Sequence, residues 1–150
     1  MFAYEFEMAG TTVTMAITDH SEPNNSKVLV GWRSDDSDAY PGAPCLPGGF
    51  LDVPETSKAA ASRETKEETN LDISEDRWYI FYVDDKPGSD PRYKQVVNMC
   101  YMVEVAPEET SQAKAGDDLK ELKWVPYNDL IHMDLAFSHN DIVEELRYHI

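Results

Sequence analysis

The chain has 150 residues, 41% hydrophobic and 28% charged, with a formal net charge of −16, which suits one globular domain of two or three layers. So negative a surface weighs against a nucleic-acid polymer or an anionic membrane as partner, because both are gripped by cationic side chains that displace counterions. A small phosphorylated ligand stays in play only if a metal ion supplies the positive charge.

In chain order, residues 1–10 carry acids and lack the basic start and apolar run of a secretory signal. No later run approaches the roughly 20 apolar residues that span a bilayer, so a cytoplasmic location is expected. Cys45 and Cys100 are then expected as reduced thiols. Residues 12–18, 27–33, 78–83, 95–105 and 121–125 read as strands, being rich in β-branched and aromatic side chains, and residues 2–7 are a weaker candidate. Breaker-rich stretches at 22–25, 34–49, 87–91 and 107–118 read as loops. Two helices are predicted. Residues 56–70 contain the helix-favouring run Ala59-Ala60-Ala61 and end on Asn70, a residue suited to a left-handed cap. Residues 140–149 carry an apolar stripe of Ile142, Val143 and Leu146. Such an order predicts an α/β or α+β fold, with helices packed on the faces of a mixed sheet, and a single domain over residues 1–150.

The chemistry concentrates in the first helix. Residues three and four apart are neighbours on a helix, so Glu64 lies beside Glu67 and Glu68, with Ala60 and Ala61 on the same side one turn earlier. Carboxylates crowded in this way repel each other, and a divalent cation turns that repulsion into attraction. Mg²⁺ is the natural choice, since it prefers oxygen ligands and is shared between carboxylates and substrate phosphate. Arg63 is next in sequence and can hold a carboxylate in place, while Pro47-Gly48-Gly49 lets backbone approach a ligand closely. A solvated charged helix is the plainer reading of the acids alone.

Residues 49–71 resemble the Nudix box: Gly49, Glu55 after a gap of five, Arg63-Glu64 after a gap of seven, then Glu67-Glu68 and a closing Leu71. Thr65 stands where an aliphatic residue is usual and Asn70 where glycine is usual. The resemblance implies an α/β/α sandwich and a hydrolase in which a metal-activated water attacks a phosphorus of a diphosphate. It implies Glu64 and Glu68 as the main metal carboxylates, and Glu67 as a further ligand or a base acting through water. Arg63 would orient a glutamate, Gly48 would offer its carbonyl to a metal, Gly49 would lie against substrate, and Glu55 would support the loop. The ion implied is Mg²⁺, with Mn²⁺ as its substitute. Relatives often add an acid from a later loop, for which Asp117 and Asp118 come first and Glu108 and Glu109 second; a solvated acidic turn is the competing reading.

Asp90-Pro91-Arg92, Gly116-Asp117-Asp118 before Trp124, and the segment from Leu135 to Ile142 are similar to the ADP-ribose pyrophosphatase branch, with Ser138 replacing an aspartate. That similarity implies ADP-ribose as substrate and Arg92 as a phosphate contact, its planar fork matching phosphate oxygens. Aromatics at 79–82 or Phe137 would stack on a base, although most aromatics are simply core. Another nucleotide is the alternative substrate: an oxidised dNTP, a dinucleoside polyphosphate, NADH or a sugar nucleotide. A nucleotide-sensing module without catalysis is the alternative class, against which stand the intact Glu64, Glu67 and Glu68. Many relatives pair as homodimers, and the sequence leaves that open.

Overall fold

The computed structural model describes residues 8–150. Its central strand, β1 (Gly10–Asp19), turns Val13, Met15 and Ile17 to one face and Ala16 to the other, as a side-chain period of two requires. Both faces are buried, so both must be covered. Strand β6 (Val96–Glu104) runs parallel to β1 from Gly10↔Val96 to Thr18↔Glu104, and β5 (Tyr79–Asp84) pairs antiparallel beyond it. On its other side β1 divides its partners. Residues 12–14 pair with β4 (Gly48–Phe50), whereas Thr18 and Asp19 pair with β2 (Lys27–Arg33). Strand β2 then pairs with β3 (Pro44–Cys45) and β7 (Leu119–Pro126), completing a mixed sheet of seven strands. The parting of β2 from β4 forks the sheet, and that fork positions the site.

Helix α1 (Ser57–Thr69) covers one face, its Ala60 and Ala61 packed among Val13, Met15 and Ile17. Thr56 starts the helix by accepting from Ala59 N at 3.1 Å, and Asn70 ends it in the left-handed conformation, φ 66°. Both ends agree with the sequence reading. After a 3₁₀ turn (Glu75–Arg77) and two short helices, α2 (Pro107–Thr110) and α3 (Tyr127–Leu130), the helix α4 (His139–Leu146) covers the second face. Its Ile142, Val143 and Leu146 meet Ala16, Val28, Val30 and Met102. The layers are therefore helix, sheet, helix, as expected.

Several local readings need correction. Residues 34–49 contain β3 and most of β4, strands too short to signal themselves, which exist because β2 and β1 offer them hydrogen bonds. The stretch 107–118 contains α2, where Glu109 accepts from Ala106 N at 2.8 Å. Helix α4 stops at Leu146, where its buried stripe stops, short of residue 149. The strand candidate at 2–7 lies outside the described residues. Cys45 and Cys100 are free and buried, and no helix among the described residues is long and apolar enough to cross a membrane.

Candidate active site

Helix α1 turns one face inward along its whole length: Ala60 and Ala61 are followed by Glu64, Thr65, Glu68 and Thr69, all buried. A face that begins with alanine thus ends in carboxylates. Glu64 is 9% and Glu68 6% exposed, whereas Glu67 points outward. Burial strips water from the two inner carboxylates and raises their pKa values, Glu64 to about 7 and Glu68 to about 8. Repulsion from neighbouring acids adds to this, from Glu67 and Asp117 at Glu64, and from Glu64, Asp117 and Asp118 at Glu68. Arg63 at Glu64 and the Gly48 amide at Glu68 act in the opposite sense. Two carboxylates reluctant to ionise side by side are the environment that a bound cation relieves.

Arg63 organises the acids from behind. Its Nε and Nη2 donate to both oxygens of Glu55 at 2.8 and 2.9 Å, its Nη2 also to the Phe50 carbonyl at 3.0 Å, and its Nη1 to Glu64 at 2.9 Å and Glu67 at 3.3 Å. The bidentate pairing holds the Glu55 carboxyl at about 2, and Glu55 in turn accepts from Asp52 N at 3.0 Å. Glu55 therefore braces the loop before α1. Gly48 N donates to Glu68 at 2.8 Å, fixing that carboxylate against β4. A Cβ on Gly49 would lie 2.4 Å from the Glu64 carboxyl carbon, so glycine is what lets β4 and the helix meet there.

The loop after α2 docks on the C-terminal end of α1. Lys114 N and Gly116 N donate to the Thr69 and Glu68 carbonyls at 2.8 and 3.1 Å, and a Cβ on Gly116 would lie 2.5 Å from the Glu67 carbonyl. The next residue, Asp117, takes a left-handed backbone, φ 51°. Its carboxylate joins those of Glu64 and Glu67, each offering one oxygen within 4.8 Å of the others. Oxygen donors so grouped, two on a rigid helix, fit a hard divalent ion.

Asp118 lines the same cleft without belonging to that three-oxygen group. Glu109 is engaged with Arg77, at 2.8 and 3.0 Å, and neither it nor Glu108 lines the cleft. Beyond the acids the cleft, of about 360 Å³, runs to Arg33, Arg92, Tyr93 and Phe137. Arg92 donates to both oxygens of Asp90 at 3.1 and 2.9 Å. The guanidinium carbons of Arg33 and Arg92 stand 4.9 and 5.7 Å from the Phe137 ring centre. The aromatics at 79–82 lie on the outer strand β5 and take no part in the cleft. His139 is buried and lines the inner wall of the cleft, its Nδ1 accepting from Leu46 N at 3.0 Å, and burial lowers its pKa to about 4. Sequence reasoning missed Arg33, Thr12, Thr14 and Asn98, which sit on ordinary-looking strands. The alternation along β1 and β6 was the only available signal, and it does not say which polar residue faces an opening.

The profile of the NUDIX domain matches residues 9–146. An ADP-ribose pyrophosphatase of Methanocaldococcus jannaschii is 34% identical over 131 residues, covering 87% of this chain and 71% of that protein. A MutT/nudix family protein from Enterococcus faecalis superposes with a TM-score of 0.81 at 27% identity, covering 93% of this chain; the chain spans only 61% of that protein's length. The NUDIX domain of Shewanella oneidensis NrtR, solved with ADP ribose, superposes with a TM-score of 0.85 over 99% of this chain and 93% of its own, and at 23% identity that likeness shows the fold. NrtR has also been solved with a 27mer DNA.

Proposed function

The chain belongs to the Nudix family of pyrophosphohydrolases, and we propose that it cleaves ADP-ribose to AMP and ribose 5-phosphate with the help of Mg²⁺, for which Mn²⁺ can substitute. The observation that carries this reading is the pairing of the two ends of one cleft. At one end stand the crowded carboxylates of Glu64, Glu67 and Asp117 with Glu68 behind them; at the other, guanidinium groups gather around Phe137. The similarity to the M. jannaschii pyrophosphatase supports ADP-ribose over other nucleotides.

Glu64, Glu67 and Asp117 would hold the ion together with Glu68 and the Gly48 carbonyl, and a divalent ion there neutralises diphosphate charge and acidifies water. Of the two loop acids the geometry favours Asp117 in this role, and Asp118 adds negative potential. Glu67, an exposed carboxylate of the group, would accept a proton from the attacking water, while Arg63 keeps it and Glu64 in position. Water oxygen bonds to phosphorus as the bridging P–O bond breaks, and the leaving phosphate departs with the bridging oxygen. Gly49 lets the diphosphate lie close to the backbone. Arg92, steadied by Asp90, contacts phosphate or stacks with the substrate beside Phe137. The partner is thus a small nucleotide, and the setting is the cytoplasm.

Turnover of ADP-ribose, NADH, dinucleoside polyphosphates, sugar nucleotides and oxidised dNTPs, compared with Mg²⁺ present, tests the proposal. ADP-ribose should give the highest kcat/KM, with AMP and ribose 5-phosphate as products. Its ranking among the poorest substrates would overturn the assignment.

A further inference from the structure

Asn98 is 7% exposed, yet its side chain lines the cleft. The parallel register sets it beside Thr12 across the β1–β6 pair, and Thr14 lies on the same face two residues on. Both threonine hydroxyls donate to the same atom, Asn98 Oδ1, each at 3.0 Å. An amide oxygen has two acceptor sites; both are taken by the threonines, which leaves the NH₂ group free of β1.

That NH₂ has no hydrogen-bond partner among the described residues. The register partner on its other side, Asp84, is 1% exposed and already accepts from the Ser138 hydroxyl and from Lys86 N. Nor is the NH₂ sealed. Thr65 Oγ1 is the one fully enclosed side-chain polar atom left without a partner among the described residues, so Asn98 Nδ2 opens on the cleft. A donor held in place and open to the cleft can give its hydrogen bond to a ligand acceptor in place of water.

We infer that Asn98 is a specificity-determining residue: its pinned amide donates to an uncharged oxygen or nitrogen acceptor on the part of the substrate beyond the diphosphate. A fixed neutral donor separates a ligand that presents an acceptor from one that presents a donor or an apolar group. The inference rests on the proposed seating of the diphosphate against Glu64 and Glu68. It does not require ADP-ribose itself, since wild-type ranking in the substrate panel tests that identity separately; whichever nucleotide ranks first is the probe for Asn98.

Asn98→Ala is the test, because it removes the donor without adding a charge beside Asp84 or the diphosphate. KM for the best substrate should rise about tenfold to a hundredfold, the effect of leaving one polar group unmatched, with kcat changed little. The rise in Tm that this substrate causes in EDTA should shrink. ADP and inorganic pyrophosphate provide the second arm. If N98A weakens ADP and the best substrate equally and leaves pyrophosphate unchanged, the acceptor is on the nucleoside; if it weakens the best substrate alone, the acceptor is on the group beyond ADP; either result supports the inference, and equal weakening of pyrophosphate would overturn it. Should N98A not fold, Thr12→Val, which removes one of the two pins, should raise KM several-fold by letting the amide swing. Unchanged KM and unchanged ligand stabilisation in the folded variant tested would overturn it.

Discussion

At the scale of single residues, Glu68 shows how position changes the chemistry of a carboxylate. The same side chain one residue earlier is exposed and bound by Arg63, whereas Glu68 is buried, held by the Gly48 amide and raised to about 8. Glu68→Gln keeps the acceptor for Gly48 N and most of the volume but removes the charge. Hydrolysis should fall on the order of a hundredfold or more while Tm stays equal or rises, because a poorly solvated acid has gone. A calorimetric scan beside a turnover assay checks both, and near wild-type turnover would contradict the role given to this residue. Gly49 makes a related point. The resemblance implied a glycine lying against substrate, and in the fold the same position also packs on the protein's own Glu64.

Among the elements, α1 and α4 are alike in packing against the sheet and unlike in purpose. Helix α1 meets the sheet through alanines, so its backbone comes close and carries its glutamates to the fork between β2 and β4. Helix α4 meets the sheet through large side chains, and Ile142 and Leu146 are fully buried. Leu146→Ala should therefore cost about 2–5 kcal/mol, the range for a large-to-small change in a core that collapses only partly. Chemical denaturation would measure it, and a loss under 1 kcal/mol would show that α4 packs loosely. The loop from α2 to β7 is the third contributor. Its amides cap the carbonyl end of α1 and so bring Asp117 to the glutamates. The acids of this loop were visible in the sequence, but that Asp117 rather than Asp118 groups with Glu64 and Glu67 could be seen only in the fold.

Over the whole molecule, Glu64 and Glu68 couple stability to pH and to metal. Both bind protons more tightly in the fold than in the unfolded chain. Below the ordinary carboxylate value of 4.5 both states are protonated and no penalty exists; as pH rises toward about 7 and about 8 the unfolded chain ionises first, and the metal-free fold loses stability. Tm in EDTA should thus fall between pH 5 and pH 8 by roughly several degrees. Millimolar Mg²⁺ should raise Tm more at pH 8 than at pH 6, because ligands must be deprotonated to bind. The same scans on an E64Q/E68Q variant separate this pair from the general repulsion of a chain carrying −16. An equal Mg²⁺ effect at both pH values, or an equal one in the variant, would refute the coupling. What could be read from the order of amino acids alone was whatever depends on near neighbours: the main strands, both ends of α1, and the run of acids from Glu64 to Glu68 beside Arg63. Helical and strand periods act over a few residues, so their marks are local. The strands β3 and β4, the burial of Glu68 but not Glu67, the aim of Asp117 and the pinning of Asn98 by Thr12 and Thr14 were decided only in three dimensions. Each depends on partners distant in the chain, whose hydrogen bonds and exclusion of water exist only once the sheet has formed.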